Sequence, residues 1–553
     1  MAWSRIALLP FVYSSVVIAT TPLGNYLGNT SIDGLTQYLG IRYARPPVGD
    51  LRFAPPQPWQ SLDDAIVDAT AYGPGCPQLP GFELYNGLSE DCLTLNIVAP
   101  SCADTESSLL PVMFFIHGGG NYNGQSIFYN GTALVQHSVE IGKPTIYVGF
   151  NYRLGGFGFL TSPEFNDAGL SNLGLMDQRL ALQWVHDNIA EFGGDLEKVT
   201  IFGESAGAAN CWAQSHFAHT QGDDEKYFRA MITQSGAPGS PSFPAAVNPS
   251  DGIESYDRLL EGTNCTGSTD KIACLRAVPY DAIAPILING SIADFTIDDV
   301  WFKESFLELL EAEEYLKIPT VHGANLDEGS AFMPDVFNFP NTSELVATIA
   351  SYLENNLNLA ATVIAAYNNV SLVDLGKGYN ADPTAPDDFY HAMAVYSDTW
   401  MHLGRRAWLR KASQTQPTWG YVFEQQPPLS TLNLSYEYPG FSEDYYRRLG
   451  VYHGAELPYV FGEVSSVANH TDGDVHLASK MMSWWITFAH ELNPNCDNES
   501  IYWARYNTTA DGTLMFLQEQ GGRSVTSGGD TMRQTVYDAW NSARSAIQLS
   551  EPY

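Results

Sequence analysis

Near-continuous apolar runs recur along the chain, and most end in a turn that leads into a stretch with helical period. The runs are PVMFFI (111–116), TIYVGF (145–150), VTIF (199–202), AMIT (230–233), 318–321 and 421–423. A strand that is apolar throughout has to be covered on both faces, the situation of a parallel sheet wrapped by helices. The clearest helical stretch is 175–189, where Leu180, Trp184 and Val185 keep the helical period. The alternation predicts an α/β fold with a central, mostly parallel sheet. Such sheets hold ligands beyond the carboxyl ends of their strands, so the chemistry is expected in the turns that follow the runs. The pattern continues almost end to end through 553 residues without a linker, repeat or low-complexity tract. One domain with large insertions, 20–553, is the expectation.

The N-terminal stretch carries Arg5, an apolar run over 6–19 broken by Pro10, and small residues near Ala19. Charge followed by a short apolar run is the layout of a secretory leader, here 1–19, and the run is shorter than the roughly 20 residues a spanning helix needs. The C-terminal SAIQLSEPY lacks the apolar tail of a lipid-anchor signal. A soluble extracellular protein without a membrane anchor is expected. Ten Asn-x-Ser/Thr sites agree with export: Asn29, Asn130, Asn264, Asn289, Asn341, Asn369, Asn433, Asn469, Asn498 and Asn507. The formal charge of -35 argues against nucleic acid and anionic membrane as partners, because both demand clustered Lys and Arg.

The chain has seven cysteines, an odd number. Cys76 with Cys92 and Cys265 with Cys274 are spaced to close short loops, whereas Cys102, Cys211 and Cys496 have no assigned partner. No paired CxxC or His-rich cluster suggests zinc, so neither metal nor other cofactor is expected.

The run VTIF leads into Gly203-Glu204-Ser205-Ala206-Gly207, between a strand and a helical stretch. A turn this tight crowds the backbone, which requires small flanking residues and pushes Ser205 outward over a helix N-terminus. This is the arrangement of a nucleophile elbow. Acyl transfer also needs donors for an oxyanion, and His117-Gly118-Gly119-Gly120-Asn121 follows the run 111–116 as a Gly-rich loop suited to present them.

Further motifs extend the pattern: GIRYARPPVGDLRFAPP from Gly40, SEDCLTLNI from Ser89, NYRLGGFGF from Asn151, LMDQRLALQWV from Leu175 and FGGDLEKVTIFGESAG from Phe192. From about Thr21 towards its C-terminal region the chain resembles the type-B carboxylesterase/lipase family, α/β-hydrolases that include cholinesterases and extracellular fungal lipases. The resemblance implies an ester hydrolase acting through Ser205 on a small-molecule ester. The family's acid lies in a GxNxDEG loop, matched by Gly323 to Gly329, which implies Glu328. The residues alone offer Asp327 equally, since either carboxylate could orient an imidazole. The family's histidine loop matches Gly450 to Pro458 and implies His453 as base, in the chain order Ser, acid, His. Gly119, Gly120 and Ala206 carry over as oxyanion donors.

The same resemblance implies scaffold ion pairs Arg52 with Glu90 and Arg153 with Asp177, and disulfides Cys76–Cys92 and Cys265–Cys274. In family lipases the first disulfide loop carries a lid. Only fifteen residues lie between Cys76 and Cys92 here. Such a short flap buries little apolar surface, so action on dispersed esters is expected over activation at an oil interface. Leu79, Phe82, Leu84 and Tyr85 are candidates to line its acyl entrance. The nearest alternative is an interfacial triacylglycerol or sterol-ester lipase. A catalytically dead adhesion protein on the same fold is the alternative of another class, and the complete Ser, Glu and His set argues against it.

Overall fold

The computed structural model describes residues 17–32, 34–60, 65–79, 86–101, 108–222, 227–242, 246–289, 295–377, 384–433, 443–496, 501–507 and 512–547. Ten strands form the central sheet: β1 (Leu35–Arg42), β2 (Thr94–Pro100), β3 (Leu110–Ile116), β4 (Ile146–Phe150), β5 (Gly194–Glu204), β6 (Ala230–Gln234), β7 (Thr320–Asn325), β8 (Thr418–Phe423), β9 (Leu514–Leu517) and β10 (Thr526–Gly528). Their order is β10-β9-β8-β7-β6-β5-β3-β4-β2-β1. Pairing is parallel from β9 through to β4 and antiparallel at both margins. Every residue of β2, β3, β4, β6, β7 and β8 is buried, as the apolar runs require. Helices α1 (Leu173–Asn188), α2 (Ala206–Gln221) and α3 (Asp472–Glu491) are the longest in the molecule among the described residues.

Three runs differ from the observed strands in informative ways. Pairing in β7 begins at Thr320 rather than at 318, because Pro319 has no N–H to give to a ladder. That strand then continues to Asn325 and carries His322, Gly323 and Asn325 into the sheet, where an apolar-run criterion stops too early. Strand β5 begins at Gly194, ahead of its apolar part, and β8 begins at Thr418. The marginal strands β1, β2, β9 and β10 correspond to none of the six runs. Of the quoted motifs, the one from Gly40 runs out of β1 and the one from Ser89 runs into β2.

From β3 the chain crosses to β4 on one side and returns through α1 to β5 on the other. This reversal opens a crevice at the carboxyl ends of β3 and β5, where the two Gly-rich turns lie. A second apolar core gathers helices Ile253–Gly262, Lys271–Ala277 and Tyr280–Asn289 around Phe53, Phe157 and Phe165, and the Cys265–Cys274 disulfide lies within it. Cys76–Cys92 is also bonded. Cys211 is a buried thiol on α2, Cys496 lies 3.2 Å from the Thr487 hydroxyl, and Cys102 falls outside the described residues.

At the N-terminus, strand Val17–Thr21 pairs antiparallel with Gly24–Gly28, which pairs in parallel with Ile66–Ala69. The leader boundary expected after Ala19 therefore falls inside a strand, and the first sixteen residues lie outside the described ones. Of the sequons, Asn264, Asn341, Asn369, Asn469 and Asn507 are exposed, Asn29 and Asn130 are half-buried, and Asn498 lies outside the described residues. Asn289 and Asn433 sit at the ends of helical turns. No described helix is long and apolar enough to cross a membrane.

Candidate active site

Ser205 occupies the junction of β5 and α2 with φ 56° and ψ -127°, a backbone conformation that costs a non-glycine residue about 1–3 kcal/mol. The surroundings hold it there. Its N–H donates to Gln234 O at 2.9 Å, while Ala208 and Ala209 N–H donate to Ser205 O at 3.0 and 3.1 Å. The flanking glycines are required by contact: a Cβ on Gly207 would lie 2.0 Å from Ile116 O, and one on Gly203 would lie 2.6 Å from the Gly207 backbone. Ala206 is the first residue of α2, so its N–H precedes the helical ladder and points out of the helix N-terminus.

The loop after β3 is gripped from two sides. Asn121, itself at φ 62°, accepts from Asn210 Nδ2 of α2 at 2.9 Å and from the Tyr152 hydroxyl at 3.3 Å. Tyr152 also donates to His117 O at 2.8 Å and stacks on the His117 ring at 4.4 Å. The motif from Asn151 thus braces the Gly-rich loop against the elbow helix. Burial lowers the His117 pKa to about 4, and its Nδ1 lies 2.9 Å from Gly118 O, which makes it part of the scaffold. Gly119 and Gly120 have φ 97° and 63°, which favour glycine. A Cβ on Gly118 would come 2.9 Å from Ser205 Cβ, so loop and serine are in direct contact.

His453 lies 125 residues from Glu328 in sequence, yet its Nδ1 is 2.6 Å from Glu328 Oε2. His453 is 3% exposed and Glu328 is fully buried. The second Glu328 oxygen accepts from Asn325 N–H at 2.7 Å. Asp327 turns away: its Oδ2 accepts from Val451 N–H at 2.8 Å. Burial pushes the Asp327 carboxyl up to about 7. The other imidazole nitrogen, Nε2, is 3.2 Å from Glu204 Oε1, on the residue preceding Ser205. Elbow, acid turn and histidine loop therefore converge on one imidazole.

Several residues at this convergence were not singled out from the sequence. Glu204 and Asn325 lie inside quoted motifs, and Glu456 follows His453 by three positions. Glu456 accepts from Gln234 Nε2 at 3.0 Å and from Asn325 Nδ2 at 2.6 Å, and its pKa is raised by burial and by the neighbouring Glu328. Phe332 sits 4.8 Å from the His453 ring and stacks on Trp400 at 4.2 Å. Trp400 belongs to a π-helical turn, Asp398–His402, of a kind frequent at functional sites.

The scaffold pairs expected from the sequence are present. Arg52 meets Glu90 at 2.6 and 2.7 Å, and Arg153 meets Asp177 at 2.7 Å through two nitrogens. The first disulfide loop is tied to the Gly-rich loop by Gln78, which exchanges hydrogen bonds with Gly124 at 2.8 and 3.0 Å. Leu79 is half-buried, and Phe82, Leu84 and Tyr85 lie outside the described residues. Among the described residues no group of three or more His, Cys, Asp or Glu side chains is arranged to hold a metal ion.

Comparison with known proteins identifies the family and the fold. The family model "Carboxylesterase family" matches residues 15–540. The chain is 32% identical to "Secreted lipase 1" of Botryotinia fuckeliana, covering 94% of this chain and 92% of that one. It is 33% identical to "Para-nitrobenzyl esterase" of Bacillus subtilis, covering 91% and 95% respectively. A solved para-nitrobenzyl (PNB) esterase structure superposes with a TM-score of 0.74 at 28% identity, over 94% of this chain and 99% of the other. The fold is the α/β-hydrolase fold, and the chain belongs to the carboxylesterase family as a serine hydrolase of carboxylic esters.

Proposed function

We propose that this chain is an extracellular carboxylesterase that works through an acyl-enzyme on Ser205, with His453 as base and Glu328 as the acid of the triad. The observation that carries the reading is the 2.6 Å contact between His453 Nδ1 and Glu328 Oε2 in a buried setting, where a carboxylate stabilises an imidazolium far more than in water. His453 Nε2 takes the Ser205 proton as Oγ attacks the ester carbonyl, and Gly119, Gly120 and Ala206 N–H groups receive the oxyanion. The imidazolium then gives its proton to the leaving alcohol, and water repeats the cycle on the acyl-enzyme. Glu204 beside Nε2 adds a second carboxylate to the field that compensates the imidazolium. The two disulfides, the density of sequons and the naming of a relative as a secreted lipase support secretion, with several sequons glycosylated. Treatment with an organophosphonate followed by peptide mass mapping tests the nucleophile. Adduct on Ser205 and inactivity of Ser205→Ala are expected, and adduct elsewhere or an active Ser205→Ala refutes the assignment.

Relatives named as lipases bring forward an interfacial reading. A Cys76–Cys92 sequence separation of only 16 argues for dispersed esters, because opening a lid costs on the order of 25 cal/mol for each Å² of apolar surface exposed. Rate measured against concentration of a partly soluble triacylglycerol decides between them. A smooth rise through saturation fits the esterase, and a jump at saturation identifies an interfacial lipase.

A further inference from the structure

The acid turn and the histidine loop are joined by a seam of four residue pairs. Asn325 Nδ2 donates to Tyr452 O at 2.9 Å, and the Ser330 hydroxyl donates to Leu449 O at 2.6 Å. Between them, Glu328 faces His453, and Asp327 makes two bonds to Val451, accepting its N–H on Oδ2 at 2.8 Å while donating its own N–H to Val451 O at 3.0 Å. The Ser330 hydroxyl and N–H both reach Asp327 O, which fixes the turn from behind.

The space around the Asp327 carboxylate is cut to its size. Gly450 and Gly376 both have left-handed φ, 64° and 106°. A Cβ on Gly450 would lie 2.4 Å from Oδ2, and one on Gly376 would lie 2.6 Å from Oδ1. Asp327 is 1% exposed, and Oδ1 makes no hydrogen bond among the described residues. A buried carboxylate with one unsatisfied oxygen is costly, so its retention calls for a return. The return available here is geometric. The other backbone contacts of the seam hold the loop by carbonyls, at Leu449, Val451 and Tyr452, whereas the bond from Val451 N–H to Oδ2 holds it by an amide, two residues before His453, and fixes the tilt of that peptide. Misplacement of a reacting group by about 1 Å can cost on the order of 10²-fold in rate.

We propose that Asp327 is a positioning residue for the hydrolysis: its carboxylate grips the Val451 amide and thereby sets the approach of His453 to Glu328. The proposal rests on Glu328 and His453 acting as acid and base. It accounts for two adjacent carboxylates in one turn, one facing the imidazole and the other holding the loop that carries it.

The test compares the full-length parent with Asp327→Asn, which keeps an oxygen for the Val451 amide, and Asp327→Ala, which does not. Turnover of a soluble ester is measured well below each variant's unfolding temperature. Asp327→Ala is expected to lose about 10²-fold in kcat with KM within about twofold, and Asp327→Asn to recover to within about tenfold of the parent. If Asp327→Ala does not accumulate folded, Asp327→Ser, which keeps an oxygen but loses reach, takes its place. Parental kcat in a folded Asp327→Ala, a loss confined to KM, or equal damage in Asp327→Asn overturns the proposal. Glu328→Gln in the same series separates the two ideas. A roughly 10⁴-fold fall there with parental Asp327→Ala refutes the positioning role alone, whereas a parental Glu328→Gln removes the acid assignment beneath it.

Discussion

Two buried polar clusters, one that includes the acid turn and one in the C-terminal region, are built on opposite rules. Around His453, the carboxylates of Glu328, Glu456 and Asp327 are held by an imidazole, by the side-chain amides of Gln234 and Asn325 and by backbone N–H groups. In the C-terminal region, carboxylates meet guanidinium groups. Arg405 and Arg406 share Asp530 at 2.7 and 3.0 Å, and Arg533 meets Asp398 at 2.6 Å, with Tyr506, Tyr367 and Tyr537 completing the hydrogen bonds. Burial alone would raise the Asp530 carboxyl, but Arg405 and Arg406 outweigh it and hold it far below the ordinary range. Near the imidazole the balance falls the other way: burial dominates and raises Asp327 and Glu456. Three buried arginines against two carboxylates give every charge an opposite partner, and such pairs lock packing. In the mechanism proposed above, the carboxylates gathered at His453 compensate the imidazolium that forms when it takes the Ser205 proton.

The contrast is broken or sharpened by substitution. The largest effect is expected from Glu328→Gln, which removes the charge facing Nδ1 without changing size. It should lower kcat about 10⁴-fold and leave the unfolding temperature nearly unchanged. A small loss there, or a greater one in Asp327→Asn, would move the acid role to Asp327.

Asp530→Ala is the converse experiment. It leaves Arg405 and Arg406 buried without their carboxylate, which should cost about 3–5 kcal/mol of stability, read by denaturant unfolding. Turnover per folded molecule should stay within a few-fold of the parent. Lost turnover with stability preserved would mean that the two clusters are not separate in role.

The smallest effect is expected at Glu463, where burial alone pushes the carboxyl up to about 7. A folded-state pKa raised above the unfolded value of 4.5 means that the native chain binds the proton more tightly. The stability associated with this group is therefore fully present below about pH 4.5 and is lost as pH rises to about 7. Glu463→Gln cannot ionise, so its unfolding temperature should exceed the parent's by a margin that grows across that window and levels above it. A margin independent of pH would contradict the burial argument.

The two clusters also differ in how legible they were in the sequence. The elbow and the Gly-rich loop lie on short motifs whose spacing carries meaning, since Gly203 to Gly207 announces a strand, a turn and a helix, whereas His453, the acid loop with its choice of Glu328 over Asp327, and the individual oxyanion donors needed the resemblance. Geometry separates Glu328 from Asp327 because adjacent residues in a tight turn point apart, which no composition rule encodes. The arginine cluster left no local trace. Arg405-Arg406 has the look of an exposed basic pair, yet both are fully buried, because partners more than 120 residues away complete them. Likewise β1 and β2 are largely or wholly buried, yet buried polar residues, Thr36 and Gln37 in the first and Thr94 and Asn96 in the second, interrupt their apolar runs, so the apolar-run criterion passes over them.

The central claim is that Ser205, His453 and Glu328 act as one unit. Residues that act as a unit give strongly non-additive losses, because once one is removed the others have nothing left to assist. The direct measurement is kcat on a soluble ester for Ser205→Ala, Glu328→Gln and the double variant. The account predicts that Ser205→Ala reaches the floor set by binding and the oxyanion donors, and that adding Glu328→Gln lowers it no further. A double variant slower than Ser205→Ala by the full Glu328→Gln factor would show independent action and contradict the triad.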